Sequence, residues 1–205
     1  MMNNDKTVRK PKQARSIGTK EKILETALKL FCEKGYYRTT TNEIARVAGV
    51  SIGSLYSYFK DKDTILMEIL GDYNKLFIKV HEESSKDIEL FRTDKRAWLR
   101  RFIEDMIKVH EISKELNQEM KILSFSNPEV ASIREKQLGL TRKITMDFFY
   151  QYKDEINVKD IEAAAIVSYN FITSTVDYVV FEKNEIERDR ILEATVEAIC
   201  KFLLD

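Results

Sequence analysis

The chain has 205 residues, 43% of them hydrophobic, and is long enough to bury one sizeable core or a small domain beside a larger one. Only two prolines and six glycines interrupt long segments of helical periodicity, which favours an all-α fold. Cys32 and Cys200 lie far apart and within apolar helical patterns, which excludes a disulfide framework and indicates core packing in a reducing compartment.

The charge is unevenly distributed along the chain. Residues 1–64 contain 13 Lys and Arg against 7 Asp and Glu, a net charge of +6, and the rest contains 21 against 27, a net charge of −6. The N-terminal third is therefore the part that would meet a polyanion. Residues 1–18 are predicted to form a basic flexible arm, which either contacts DNA phosphates or is a solvated tail.

Nothing in the sequence predicts export or membrane insertion. The N-terminus is charged and lacks the apolar segment of a secretory signal. The longest uncharged stretch, residues 163–176, has 14 residues and includes five polar side chains, too short and too polar to span a bilayer. We therefore expect a cytoplasmic protein.

Helix signals occur in quick succession at the start of the chain. A first helix is predicted from an N-cap near Thr19 to Lys34, with Gly35 ending it. Thr40 followed three residues later by Glu43 is typical of a capping box, in which each side chain satisfies a backbone N–H at a helix start. A second, short helix therefore begins here.

Gly49 ends that helix, and Ser51 is predicted to cap a third one. Leu55 and Phe59, one turn apart, would anchor the third helix to the core, with Ile52 and Tyr56 on the same side. Its other side is small and polar, and consists of Gly53, Ser54, Ser57 and Tyr58. A helix that enters the major groove needs such a face, although an ordinary helical hairpin with an exposed polar face has the same pattern.

This stretch resembles the N-terminal DNA-binding domain of TetR-family transcriptional regulators. The matching residues are Gly35, Tyr36, Thr39, Thr40, Thr41, Ile44, Ala45, Ala48, Gly49, Val50, Ser51, Gly53, Leu55, Tyr56, Tyr58, Phe59, Lys62, Ile65 and Leu66. The resemblance covers about residues 20–70 and implies a helix-turn-helix domain at residues 19–64, with its motif at about 40–60. It also implies a larger helical effector-binding and dimerisation domain at residues 65–205, and about nine helices in all.

The resemblance implies roles for ten residues in DNA binding. Thr41 matches a phosphate-contacting position, and Ile52, Ser54 and Ser57 match positions that reach base edges, although Ile52 offers only apolar contact. Positions that approach or contact the DNA backbone are matched by Ser51, Gly53, Tyr56, Tyr58 and Lys62, and Lys60 lies among them.

Long helices are predicted for the rest of the chain. A fourth helix starts between Asp61 and Thr64, and Thr93 is predicted to cap a helix that contains Trp98. Asn127 with Pro128 is typical of a helix start, and Asn157 is predicted to open the penultimate helix. The last helix is predicted over about residues 186–204.

The last two helices are apolar on more than one side, which favours a homodimer over a fully internal core. In the family that the chain resembles, these helices of two subunits form a four-helix bundle. The predicted interface residues are Ile172, Thr175, Val176, Val179, Thr195, Ile199 and Phe202.

A set of aromatic, thioether and polar side chains between these regions could bind an apolar effector or simply pack the core. The candidate residues are Trp98, Phe102, Met106, Met120, Phe125, Met146, Phe149, Tyr169, Asn170, Thr173 and Tyr178. The two histidines have no zinc-helix spacing, and no phosphate loop or nucleophile elbow is present, so we predict no metal, no cofactor and no enzyme.

Three functions remain open. The favoured one is a DNA-binding repressor that dimerises on a palindromic operator and is released by a small apolar ligand. The alternatives are a DNA-binding protein of the same fold without an effector, and a helical protein that does not bind DNA.

Overall fold

The computed structural model describes residues 14–112 and 114–204. Ten α-helices and one 3-10 turn make up most of these residues, with no β-strand among them, so the all-α prediction is confirmed. The helices are α1 (Ala14–Lys34), α2 (Thr41–Val47), α3 (Ile52–Tyr58), α4 (Lys62–Lys86), α5 (Ile88–Thr93), α6 (Lys95–Ile112), α7 (Lys114–Ser124), α8 (Pro128–Gln151), α9 (Ile161–Phe181) and α10 (Arg188–Leu204), with the 3-10 turn at Lys153–Glu155.

The start of α1 differs from the prediction. The helix begins at Ala14, so residues 14–18, which we predicted as part of a flexible arm, are helical. Gly18 lies within this first stretch, and a single exposed glycine costs a helix only about 1 kcal/mol. The rest of the predicted arm, residues 1–13, lies outside the described residues.

Two compact units make up the fold. The first contains the residues up to Tyr73 together with Glu115–Val130, and the second contains Asn74–Lys114 and the residues from Ala131 onward. The predicted division at residues 64 and 65 concerned function and stays a prediction. It did not anticipate that α7, nearly fifty residues beyond that division, would cluster with the helix-turn-helix segment.

The N-caps predicted at Thr40 and Ser51 and the helix end predicted at Gly49 are all present in the first unit. Thr40 accepts the Glu43 N–H at 3.2 Å, and the Glu43 carboxylate binds Lys34 instead of completing a capping box. Gly49 adopts a φ of +63°, a left-handed conformation that glycine enters without strain, and so reverses the chain after α2. Ser51 accepts the Ser54 N–H at 3.0 Å and starts α3.

Helix α7 is tied to the loop after α1 by hydrogen bonds between residues distant in sequence. The Tyr36 N–H donates to the Glu119 carboxylate at 2.6 Å, and the hydroxyls of Tyr37 and Ser126 lie 2.9 Å apart. α7 also buries an apolar stripe of Leu116, Met120 and Leu123. These bonds and this burial explain why α7 belongs to the first unit.

Short polar side chains start the helices of the second half, though not always the predicted ones. Asn127 accepts the Val130 N–H at 3.3 Å, as predicted, and Pro128 follows at the first helical position. Asp94, rather than Thr93, accepts the Ala97 N–H and caps α6.

Helix α9 begins later than predicted. Asp160, rather than Asn157, caps it by accepting the Ala163 N–H at 3.0 Å. The backbone N–H of Asn157 instead donates to the Leu203 carbonyl at 2.7 Å. The predicted caps Thr93 and Asn157 lie one and three residues before the observed caps Asp94 and Asp160. Several short polar residues near each helix start could accept the same backbone N–H groups, so the sequence alone does not select between them.

Among the described helices, α9 alone is long and apolar enough to cross a membrane by length and composition. A core helix of a soluble protein has the same properties, and α9 buries Ala165, Tyr169 and Val176 inside its own unit. This feature is therefore weak evidence of a membrane span.

Candidate nucleic-acid interface and ligand cavity

Helix α3 divides into a buried edge and a broad exposed face. Leu55 and Phe59 are fully buried and anchor the helix, as predicted. Ile52 and Tyr56, which helical spacing places on the same side as these anchors, are 38% and 49% exposed and so remain accessible. A seven-residue helix makes only about two turns, and the side chains of Ile52 and Tyr56, about 60° and 100° around the axis from Leu55, already reach the surface.

All ten predicted DNA-binding residues lie in the first unit, in α2, α3, the first residue of α4 and the turns that flank α3, where Ser51 and Lys60 are found. The exposed ones are Ser51, Ile52, Gly53, Tyr56, Ser57 and Lys60, and the half-buried ones are Thr41, Ser54, Tyr58 and Lys62. Their role in DNA binding stays a prediction, and six of the ten are exposed enough to meet a partner.

Hydrogen bonds within the unit fix several of these side chains. The hydroxyls of Thr41 and Tyr56 lie 3.1 Å apart and link α2 to α3. The Ser57 hydroxyl donates to the Ser54 carbonyl at 2.6 Å. These hydrogen bonds restrict the side chains of Tyr56 and Ser57 on the surface of α3.

Gly53 lies on the exposed face of α3 with open space around it. A Cβ added there would meet no heavy atom of the protein within 4 Å. Neither packing nor backbone conformation within the chain requires glycine here. A small residue at this position therefore suits close approach by a partner outside the chain.

Lys62 makes contacts that the sequence pattern did not reveal. Its ammonium donates to the carbonyls of Tyr36 at 2.7 Å and Thr39 at 2.9 Å, and lies 4.0 Å from the Tyr36 ring centroid. Burial lowers the pKa of Lys62. Two of its three N–H donors are therefore engaged inside the unit, and Lys62 fastens the turn between α1 and α2 to α4.

The second unit contains a cavity of about 910 Å³, part of it open to solvent. Its walls are predominantly apolar and aromatic. The lining side chains are His81, Ser84, Phe91, Lys95, Trp98, Leu99, Phe102, Met106, Ile144, Thr145, Phe148, Phe149, Ile156, Ser168, Tyr169, Ile172, Thr173, Ile199, Cys200, Leu203 and Leu204.

The cavity contains six of the eleven predicted ligand-binding residues: Trp98, Phe102, Met106, Phe149, Tyr169 and Thr173. The other five lie elsewhere. Met120 is buried in α7 of the first unit, Phe125 is 89% exposed, and Met146 packs beside the Phe149 cluster. Asn170 and Tyr178 lie on the exposed side of α9.

The sequence analysis missed Phe91 and Phe148, which line the cavity beside Trp98 and lie 5.1 Å apart, centroid to centroid. The Trp98 ring stacks on Phe148 at 4.9 Å and 4°, and meets Phe91 edge-on at 5.2 Å. Phe148 precedes a predicted residue by one position, and its aromatic character was a usable signal. Phe91 lies in α5, a six-residue helix too short for a periodicity signal.

Most polar groups in the cavity wall have partners inside the protein. The Trp98 indole N–H donates to the Ser84 carbonyl at 3.0 Å, and the Tyr169 hydroxyl lies 3.2 Å from that of Thr141. Burial lowers the pKa of His81 to about 4, so its imidazole is neutral near pH 7.

Four of the predicted dimer-interface residues, Thr175, Val176, Thr195 and Ile199, are buried within the chain itself, so their side chains are not exposed to a partner. Of the other three, Ile172 lines the cavity, Val179 is half-buried, and Phe202 is 46% exposed. The exposed apolar residues of α9 are instead Ile166, Val167, Phe171 and Tyr178. The sequence pattern did not distinguish the buried from the exposed side of α9, and the dimer interface itself stays a prediction.

Among the described residues, no group of three or more His, Cys, Asp or Glu side chains could hold a metal ion.

Comparisons with known proteins match the helix-turn-helix segment in sequence and most of the chain in fold. The family model for bacterial regulatory proteins of the tetR family matches residues 23–69, the helix-turn-helix segment. The uncharacterized HTH-type transcriptional regulator YuxN of Bacillus subtilis (strain 168) is 46% identical over 63 residues, 30% of this chain and 22% of the relative. The fatty acid metabolism regulator protein of the same organism is 35% identical over 65 residues, 32% of this chain and 34% of the relative.

The matched segments thus span about a fifth to a third of these curated relatives. The crystal structure of a transcriptional regulator of the TerR/AcrR family from Aquifex aeolicus VF5 covers 89% of this chain and 98% of its own, with a TM-score of 0.68 and 24% identity, which shows a shared fold. Residues 23–69 thus match the tetR family of bacterial regulatory proteins, and the fold over most of the chain is that of the crystal structure from Aquifex aeolicus VF5.

Proposed function

We propose that this protein is a cytoplasmic transcriptional repressor that binds duplex DNA through α3. The observation that supports this most directly is the exposed face of α3, where Gly53 lies beside open space, the hydroxyl-bearing Tyr56 and Ser57 are exposed, and Lys60 follows the helix. Hydroxyls and lysines reach phosphates and base edges, and the net charge of +6 on residues 1–64 attracts the duplex.

The proposed active form is a homodimer on a palindromic site. The exposed apolar strip of Val167, Phe171 and Tyr178 recurs along α9 at helical spacing, and Phe202 is exposed on α10. A second copy would remove this strip from water. Two-fold symmetry then presents two α3 helices to half-sites about one helical turn, or a multiple of it, apart.

A small apolar molecule in the cavity is proposed to lower the affinity for DNA. Helix α4 contains His81 and Ser84, which line the cavity. The same helix begins at Lys62, which donates a hydrogen bond to the Tyr36 carbonyl next to the helix-turn-helix segment. A ligand changes DNA affinity only if it binds better to one arrangement of that helix than to another.

The experiment begins with genomic fragments that the protein recovers from sheared DNA. Affinity for a recovered duplex is compared with that for a shuffled duplex of equal composition, at several salt concentrations. We expect tighter binding to the recovered site, a steep decrease with salt, and a dimer by sedimentation. Equal affinity for both duplexes would refute sequence-specific binding, and a monomer at micromolar concentration would refute the dimer.

The ligand step is tested on the same complex. Amphipathic compounds are screened by the fluorescence of Trp98, by thermal melting and by release of the recovered duplex. If all three readouts stay unchanged, the protein is a DNA-binding regulator of this fold without an effector.

A further inference from the structure

One polar atom in the cavity wall has no partner. Ser168, a residue of the cavity lining, is 3% exposed, and its hydroxyl oxygen is buried and forms no hydrogen bond with any described residue. The neighbouring threonines behave differently: Thr173 donates to the Tyr169 carbonyl at 2.9 Å, and Thr145 donates to the Thr141 carbonyl at 3.0 Å. An unsatisfied buried hydroxyl costs about 1–3 kcal/mol, so the position calls for a partner from outside the chain.

A single water molecule is a poor partner for Ser168. Buried waters make about three hydrogen bonds. The indole N–H of Trp98 and the hydroxyl of Tyr169, which line the same cavity, are already bonded inside the protein. The wall around them is predominantly apolar, so it suits an apolar molecule with a single polar group better than a cluster of waters.

The charges around the cavity do not favour an ionic ligand. No Asp or Glu is among the lining residues, so a cationic group would have no counter-charge. Lys95 is the lining cation, and its ammonium lies 3.2 Å from the Glu155 carboxylate. An anionic group would have to compete with that carboxylate, and the neutral His81 adds no positive charge.

We infer that the cavity binds an uncharged apolar molecule whose single hydroxyl or carbonyl group meets the Ser168 hydroxyl. This inference rests on the proposed ligand response and names the chemical class of its ligand. Ser168 orients the polar group, and the aromatic walls around Trp98 hold the apolar body.

Three probes with straight chains of ten carbons test the class of ligand, because they differ mainly in the head group: decan-1-ol, decanoate and decyltrimethylammonium. Binding to the full chain is followed by Trp98 fluorescence and calorimetry, below the aggregation concentration of each probe. We expect decan-1-ol to bind about tenfold tighter than either ion, since burying an unmatched charge costs more than burying a bonded hydroxyl.

Two variants on α9 test the role of Ser168. Ser168→Ala is expected to lower decan-1-ol affinity about threefold to tenfold, the effect of one lost hydrogen bond. The same change should raise the melting temperature of the ligand-free protein, because it removes an unsatisfied buried hydroxyl. Ser174→Ala, an exposed serine six residues further along α9, controls for helix propensity and should leave decan-1-ol affinity unchanged.

The outcomes separate this inference from the proposed function. If decanoate or decyltrimethylammonium binds tighter than decan-1-ol and releases DNA, the uncharged class is wrong while the ligand response stands. Unchanged decan-1-ol affinity in Ser168→Ala, or a lower melting temperature of the ligand-free variant, would refute the role of Ser168. If decan-1-ol does not bind up to its solubility limit, the uncharged class is refuted. Release of DNA by other compounds would still leave the ligand response in place.

Discussion

Replacing Lys62 with Met tests whether this residue acts inside the protein or on DNA. The methionine keeps most of the apolar stem and removes the ammonium, which donates to the Tyr36 and Thr39 carbonyls and lies over the Tyr36 ring. The sequence pattern alone predicts a phosphate contact, and thus weaker binding to every duplex with no change in stability.

The structure predicts a loss of stability as well. A hydrogen bond from a charged donor contributes about 1.5–3 kcal/mol, and a cation–π contact adds about 0.5–1 kcal/mol. Because Lys62 is half-buried and water can replace part of these contacts, we expect a net loss of about 2–3 kcal/mol. For a chain of this size, that corresponds to a decrease in melting temperature of about 5–10 °C.

Lys60→Met is the matched control, because Lys60 is exposed and only two residues away. It should leave the melting temperature unchanged, weaken all duplexes about fivefold and reduce the salt slope by about 1. Thermal melting and DNA binding at several salt concentrations are measured for both variants. A Lys62→Met protein that melts within about 1 °C of the parent would refute the internal role.

Three further predictions concern other parts of the fold. Gly53→Ala should leave the melting temperature unchanged or raise it, because the added methyl group meets no protein atom within 4 Å. The same methyl group lies on the surface that the duplex approaches, so DNA affinity should fall about tenfold, and equal affinity would contradict this. Phe171→Asp should dissociate the dimer in sedimentation while the monomer stays folded, whereas Val176→Asp, at a site 1% exposed, should unfold the chain; a folded Val176→Asp protein would contradict the assigned burial. Because the pKa of His81 is about 4 in the folded protein, the unfolded state takes up a proton more readily. The free energy of unfolding should therefore decrease by up to about 3 kcal/mol as the pH falls from 6.5 to about 4. His81→Gln should remove this component from the pH dependence of the melting temperature.

The sequence by itself determined the local features of this protein. The caps at Thr40, Ser51 and Asn127 and the buried anchors Leu55 and Phe59 were predicted correctly. Each depends on contacts between residues two to four positions apart, which the spacing of residue types reveals directly. The same spacing identified the α3 segment that the tetR family model matches.

Only the tertiary structure decided which residues distant in sequence meet. Glu119 receives a hydrogen bond from the backbone of Tyr36, 83 positions earlier, and no local pattern predicts such a pair. Lys62 turned inward for the same reason, because its carbonyl partners lie in an earlier turn of the chain. On α9, apolar residues surround much of the helix, so periodicity could not tell buried Val176 from exposed Phe171; packing against the rest of the unit made that choice.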